Sequence, residues 1–245
     1  MKAIVLAAGY AMRLYPLTKD MPKALLEIGG QKMLDYLTDQ IAAIAGIDEI
    51  VIVTNSRFAD QFRAWADQKA YPGVGIRVLD DGTRDNEGRL GAIGDMQFAI
   101  ENAGIDDDVL VAASDNLFTF SLHDFVADFQ RHGRDTILVQ RMDDVDELRR
   151  FAIATLDDAG RVISLVEKPE HPPADLAVYA LYLYRRDTLP LIKQYLDEGN
   201  DPDAPGHFPE WLYQRREVRA YAFEGECVDI GTVDAYRAAC ERFQK

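Results

Sequence analysis

Residues 3–8 (AIVLAA) form an unbroken apolar run, and residues 49–54 (EIVIVT) and 109–113 (VLVAA) repeat the pattern. Short apolar runs without polar alternation predict strands buried on both faces of a parallel sheet. Between them the period changes. Residues 33–45 (MLDYLTDQIAAIA) carry apolar positions at helical spacing and stop before Gly46, and residues 58–68 do the same. Residues 76–79 predict a third short strand. Helices are expected over 90–103, stopped by Gly104, and over 121–132. Strands alternating with helices in this way argue for an α/β chain: a Rossmann-like, doubly wound, mixed, mostly parallel sheet.

The second half is less regular. Strands are expected at 136–140, 152–156, 162–167, 176–184, 218–223 and 227–230, with DDAG (157–160) as a hairpin turn. Helices are expected at 188–198 and 233–243. No repeat, low-complexity tract or convincing linker interrupts the chain, so residues 1–245 are expected to form one domain.

Composition narrows the class. A chain of 245 residues with 48% hydrophobic content can bury a substantial core. Its net charge of -15 repels nucleic acid and anionic membrane surfaces, so neither is an expected partner. No apolar run is long enough for a bilayer, and the N-terminal apolar stretch is too short for a signal peptide. Cys227 and Cys240 lack metal-ligand spacing and read as reduced thiols of a cytoplasmic protein. The four histidines show no catalytic or metal spacing either.

One segment runs against this acidic background. LAAGYAMRLYPLTKDMPKALL (6–26) follows the first strand and carries Arg13 and Lys23. Ligands of open α/β sheets bind at the carboxyl ends of strands, where this loop begins. Gly9 permits close backbone approach, Arg13 offers a planar fork for phosphate and Lys23 a point charge. The pattern is neither a P-loop nor a dinucleotide fingerprint. Spacing alone leaves a phosphate site and a solvated basic loop equally open. Asp115, just after the strand 109–113, likewise reads as a site carboxylate or as a cap for the helix near Ser121.

Residue order decides between these. The 6–26 segment followed by GGQKMLDY closely resembles the signature of the sugar-1-phosphate nucleotidyltransferases. LGAIGD (90–95), VAASDNLF (111–118), VEKP (166–169) and CVDIGTVDAY (227–236) resemble further elements of that family, in the family's order. The resemblance implies transfer of a nucleotidyl group from a nucleoside triphosphate to a phosphorylated small-molecule acceptor. Arg13 and Lys23 would serve the phosphates, and Leu6, Ala8 and Gly9 the base and ribose. Asn86 and Gly91 would also reach the nucleotide. Asp115 would act in catalysis and, with Asp229, hold Mg²⁺. Glu167, Lys168 and Tyr179 would meet the acceptor. Nucleotide binding would then fall in about residues 1–120 and acceptor binding in about 121–245.

Several positions depart from the family pattern. Ala11 and Met12 stand where Gly and Thr or Ser are usual, and Ala92 and Ile93 replace Thr and Ala. Val178 and Tyr179 stand where Asn-Ala is frequent in the sugar-recognition segment. A sugar 1-phosphate is the expected acceptor. A cytidylyltransferase acting on a small non-sugar phosphate or phosphonate is the alternative. A GT-A-type glycosyltransferase and an inactive nucleotide-binding subunit represent other classes. The nucleobase and any homo-oligomer stay open.

Overall fold

A computed structural model describes residues 1–243. In chain order the elements are β1 (Lys2–Leu6), β2 (Glu27–Ile28), β3 (Gln31–Lys32), α1 (Met33–Ala42), β4 (Glu49–Thr54), α2 (Ala59–Ala66) and β5 (Gly75–Asp80). Then follow α3 (Ala92–Ala103), β6 (Val109–Ala113), β7 (Asn116–Phe118), α4 (Leu122–His132), β8 (Asp135–Arg141) and α5 (Val145–Leu148). The chain continues with β9 (Ala152–Leu156), β10 (Val162–Glu167), β11 (Leu176–Tyr184), α6 (Leu189–Asp197) and α7 (His207–Leu212). It closes with β12 (Val218–Ala222), β13 (Cys227–Asp229) and α8 (Val233–Arg242).

Nine strands make one mixed sheet in the order β10-β9-β11-β6-β1-β4-β5, with β8 and β12 joined beyond β11. The block β5-β4-β1-β6 is wholly parallel. Only β10 and β11 run against the other strands. The apolar runs are continuous because alternate residues enter different cores. Ala3 and Val5, with Ile50 and Ile52, pack under α1, α2 and α4 against Leu34, Phe62 and Phe125. Ile4, Val51 and Val53 face the opposite side and meet Ile93, Met96, Ile192 and Phe208 of α3, α6 and α7. Helices on both faces give the doubly wound architecture that the pattern implies.

Strand β11 is forked. Residues 181–184 pair with β6, while 176–178 pair on the same edge with β9. A notch therefore opens beside Tyr179 and Ala180. Below it, β13 pairs with β7, and with β2 and α8 they enclose a small core of Ile28, Met33, Leu117, Ile230 and Ala239. No helix among the described residues is long and apolar enough to cross a membrane.

The expected elements stand, with shifted ends. The first helix stops at Ala42, and the helix expected from residue 90 starts at Ala92, because Gly91 (φ 79) turns the chain into it. Elements β2, β3, β7, α5 and α7 were not expected. Each has two to six residues, too few to complete a recognisable period.

Candidate active site

The site is built where β1 and β6 end. Ala7 donates from its backbone to Val53 at 2.8 Å, and Ser114 to Leu6 at 3.1 Å, so the sheet register carries past the strand ends. The fully buried Asn55 donates through Nδ2 to the Ala8 carbonyl at 2.8 Å. Beyond that point the chain leaves the sheet. Gly9 keeps out of the left-handed region, whereas Ala11 enters it at φ 46, ψ 43. An alanine pays about 1–2 kcal/mol there. Thr18 Oγ1 fixes the turn by donating to the Ala11 carbonyl at 2.8 Å.

A 3₁₀ turn, Met12–Leu14, buries Leu14 and leaves Arg13 exposed; among the described residues Arg13 makes no ion pair. A second, Lys23–Leu25, follows Pro22 and is anchored by buried Ala24 and Leu25. It directs Lys23 Nζ to Asp115 Oδ2 at 2.9 Å, with the lysine side chain 12% exposed and the aspartate 38%. Asp115 does not cap α4; Ser121 does, its Oγ accepting from the His123 N–H at 3.2 Å.

A cavity of about 590 Å³ lies over these strand ends. Leu6, Ala8, Gly9 and Asn86 line it together with Arg13, Lys23, Gly91 and Asp115, so all eight residues assigned by resemblance to nucleotide and catalysis converge. Gly91 is needed sterically, since a Cβ there would stand 2.4 Å from the Pro202 carbonyl oxygen. The amides of Ala92 and Ile93 already donate to Asp203 and Pro202, at 3.1 and 2.9 Å. The start of α3 is thus tied to the 202–203 loop. Arg89 reinforces the tie with a two-point contact to Asp203 at 2.8 and 3.1 Å.

A smaller cavity of about 200 Å³ adjoins the first, sharing Asp115, Ala180 and Pro205 with it. Glu167, Lys168 and Tyr179 line it, as does Arg150, which the sequence patterns did not mark. Lys168 occupies the left-handed region at φ 45, and its Nζ lies 3.1 Å from Glu167 Oε1. Such a strained non-glycine residue persists only where its surroundings hold it. The Glu167 side chain is 8% exposed and packs so close to Gly206 that a Cβ on Gly206 would lie 1.9 Å from Oε2. The Tyr179 hydroxyl lies 3.1 Å from Gln140 Oε1, and its ring meets Phe151 at a tilt and Phe223 edge to face, so it contributes an aromatic wall.

The backbone of Asp229 pairs opposite Asn116, and the Ile230 N–H donates to the Asp115 carbonyl at 3.3 Å. Topology thereby sets Asp229 beside Asp115; its side chain lies outside the described residues. For Mg²⁺ the donor chemistry fits: a partly exposed carboxylate on the wall shared by both cavities supplies hard oxygen. Substrate phosphates could complete a shell begun by one or two carboxylates.

One feature of the nucleotide cavity escaped the sequence patterns. Asp95, in the first turn of α3, lines the cavity at 6% exposure and contacts the carboxyl of Asp81. Burial and that neighbour push Asp95 up to about 8, and burial raises Asp81 as well. Only the fold brings these two together, across the end of β5.

An α/β sheet with cations and a carboxylate gathered over its carboxyl edge, where two cavities meet, has the form of a site for phosphorylated ligands. A family model described as "Nucleotidyl transferase" matches residues 2–245, and the chain belongs to that family of nucleotidyltransferases. It is 30% identical over 184 residues to the UTP–glucose-1-phosphate uridylyltransferase AglF of Haloferax volcanii, covering 75% of this chain and 72% of that one. With a glucose-1-phosphate thymidylyltransferase of Streptomyces antibioticus the identity is 33% over 184 residues, covering 75% and 49%. With a glucose-1-phosphate adenylyltransferase of Fusobacterium nucleatum it is 27% over 253 residues, covering 96% and 64%. The matches thus span between half and three-quarters of these relatives. Among solved structures, a UDP-glucose pyrophosphorylase complexed with UDP-glucose superposes with a TM-score of 0.84 at 20% identity, covering 99% and 97%. A UTP-bound UGPase from Acinetobacter baumannii gives 0.81 at 19%, covering 99% and 92%. These two likenesses establish the fold.

Proposed function

We propose that the chain is a cytoplasmic, Mg²⁺-dependent nucleotidyltransferase that joins a nucleoside triphosphate to a sugar 1-phosphate, giving a nucleotide-diphosphate sugar and pyrophosphate. The Lys23–Asp115 pair carries this reading, because it stands where the nucleotide cavity opens into the smaller one. An acceptor phosphate oxygen attacks the α-phosphorus; the new P–O bond forms as the bond to pyrophosphate breaks. Two polyanions must be brought together, so neutralising charge is the main task. Arg13, exposed and unpaired among the described residues, meets the triphosphate. Lys23 moves its charge from Asp115 to the reacting phosphates. Lys168 holds the acceptor phosphate, and Glu167 accepts hydrogen bonds from acceptor hydroxyls. Asp115 and Asp229 would hold Mg²⁺, which when bound supplies Lewis-acid neutralisation of phosphate oxygens. The nucleotide is held mainly by residues 1–120 and the acceptor mainly by 121–245.

The acceptor cavity of about 200 Å³, with Val178, Tyr179 and Phe151 on its wall, favours a compact acceptor as second reading: a small phosphate or phosphonate used by a cytidylyltransferase. Pyrophosphate release with Mg²⁺, crossing the common triphosphates against hexose 1-phosphates, phosphocholine and 2-aminoethylphosphonate, decides. Release with a hexose 1-phosphate supports the first reading, and release with a non-sugar acceptor alone replaces it by the second. Consumption of a nucleotide sugar instead would overturn both.

A further inference from the structure

The strand order gives the nucleotide cavity two chemically different ends. On one side of β1 lies β6, followed by Asp115 with Lys23. On the other side lie β4 and β5, followed by Asp81. Asp95 lines the cavity on that second side, and so does the buried Tyr10, whose hydroxyl is 3.4 Å from Thr83 Oγ1. Thr83 in turn donates to Asp81 Oδ1 from both its backbone N–H and its hydroxyl, at 2.7 Å each. Asp81 is therefore fixed by a local turn, and Asp95 by its place on α3.

Two oxygens remain. Asp81 Oδ2 and Asp95 Oδ1 are sealed from solvent, and no N–H or O–H group of the described residues donates to either. The two carboxyls instead interact with each other. Burial and each other's charge disfavour ionising both carboxyls, so near neutral pH the pair retains one proton between its members. These two oxygens are taken up by each other, so what the pair offers the cavity is the second oxygen of Asp95, which is not among the sealed atoms, as a hydrogen-bond acceptor with at most one negative charge on the pair. Phosphate would be repelled there. An uncharged group with N–H donors would be held.

We propose that Asp95, braced by Asp81, faces the base of the bound nucleotide and selects bases with an exocyclic amino group (guanine, cytosine or adenine) over uracil and thymine. This rests on the nucleotidyltransferase reading, which runs the triphosphate across the end of β1 with its phosphates toward Lys23. The base then falls on the Asp95 side. Guanine, cytosine and adenine each turn an amino group outward. Uracil and thymine flank their single N–H with two carbonyl oxygens, which would face the carboxyl pair acceptor to acceptor. A mismatch that leaves buried polar groups unpaired discriminates far more strongly than a missing methyl group.

The test is equilibrium binding of ATP, GTP, CTP, UTP and dTTP to the whole protein with Mg²⁺ and without acceptor. At least one amino-bearing triphosphate should bind about 10–100-fold more tightly than UTP and dTTP. In Asp95→Asn, which keeps the shape but sets an amide N–H donor where the carboxyl pair had only acceptor oxygen and a shared proton, that ratio should fall about tenfold or more. UTP or dTTP binding more tightly than all three others would overturn the base assignment and leave the nucleotidyltransferase reading standing. An unchanged ratio in a folded Asp95→Asn would remove Asp95 from the selection. Failure of every triphosphate to bind would overturn the underlying reading itself. If Asp95→Asn does not fold, the wild-type panel alone still decides the preference.

Discussion

Lys23 Nζ stands 2.9 Å from Asp115 Oδ2, joining the loop after β1 to the loop after β6. The pair is partly exposed, so its Coulombic contribution to stability is small, at most about 1 kcal/mol. Its position explains it better than its energy. A lysine parked on a carboxylate is kept ordered while the cavity lacks phosphates, and it is held beside the place where they would bind. Replacing Lys23 by Met should lower kcat/KM by about 10²–10³-fold, the range for losing one aligned charge from a phosphoryl-transfer site. The melting temperature should barely change. Steady-state pyrophosphate release and a thermal melt measure both, and an unchanged kcat/KM would remove Lys23 from the chemistry.

Arg13 presents the opposite situation, being exposed and unpaired among the described residues. Arg13→Ala should leave stability within about 0.5 kcal/mol of wild type while lowering kcat by about 10²-fold or more. Arg13→Lys should recover only part of the loss, because an ammonium cannot reproduce the two-pronged contact of a guanidinium. Full recovery by lysine would show that charge alone suffices.

Asp115→Asn separates two roles. If the carboxylate holds Mg²⁺, the metal concentration for half-maximal rate should rise at least tenfold, about 1.4 kcal/mol, and kcat should fall. If Asp115 only positions Lys23, the metal dependence should stay put while kcat falls. A Mg²⁺ titration of the rate distinguishes the two.

How much of this was legible in the chain depends on distance along it. The strands 3–8, 49–54 and 109–113 stood out because both faces are buried and no polar residue interrupts them. Arg13, Lys23 and Asp115 stood out through the order of motifs, and the fold set them on one cavity. The Asp81–Asp95 contact was not legible, since either carboxylate alone resembles an ordinary turn or helix residue. Its meaning arises only when the fold brings the first turn of α3 to the residue that follows β5. Arg150 was hidden likewise, in a short polar stretch with no period. Gly206 carries no signal in the chain that would tie it to Glu167, whose carboxylate the fold sets against it.

That last contact carries its own prediction. A Cβ at Gly206 would meet Glu167 Oε2 at 1.9 Å, well inside van der Waals contact, with Ala152 Cβ at 3.2 Å leaving little room. The Glu167 carboxylate must move, and with it its contact to Lys168 Nζ. Gly206→Ala should raise the acceptor KM at least tenfold while triphosphate binding without acceptor stays within about twofold. Equal loss of both would show that the 202–206 loop failed as a whole.

The carboxyl pair makes stability depend on pH in a direction opposite to the usual one for aspartate. Asp95 is raised from its ordinary 3.8 to about 8 by burial first and Asp81 second. The native state therefore holds a proton that the unfolded chain gives up near pH 4. This stabilising contribution is fully present below pH 4. It is lost as pH rises toward 8, since the unfolded chain binds fewer protons throughout that window. Asp135, raised to about 6 chiefly by burial, adds a similar slope over a shorter range. Asp95→Asn cancels the first contribution and leaves the second. The variant should match wild type near pH 5 and exceed it at pH 9 by about 1–3 kcal/mol, or roughly 2–6 °C in melting temperature. Thermal melts of both proteins from pH 5 to 9 supply the comparison. A difference that stays flat with pH would mean that Asp95 titrates normally and that the two carboxyls do not share a proton.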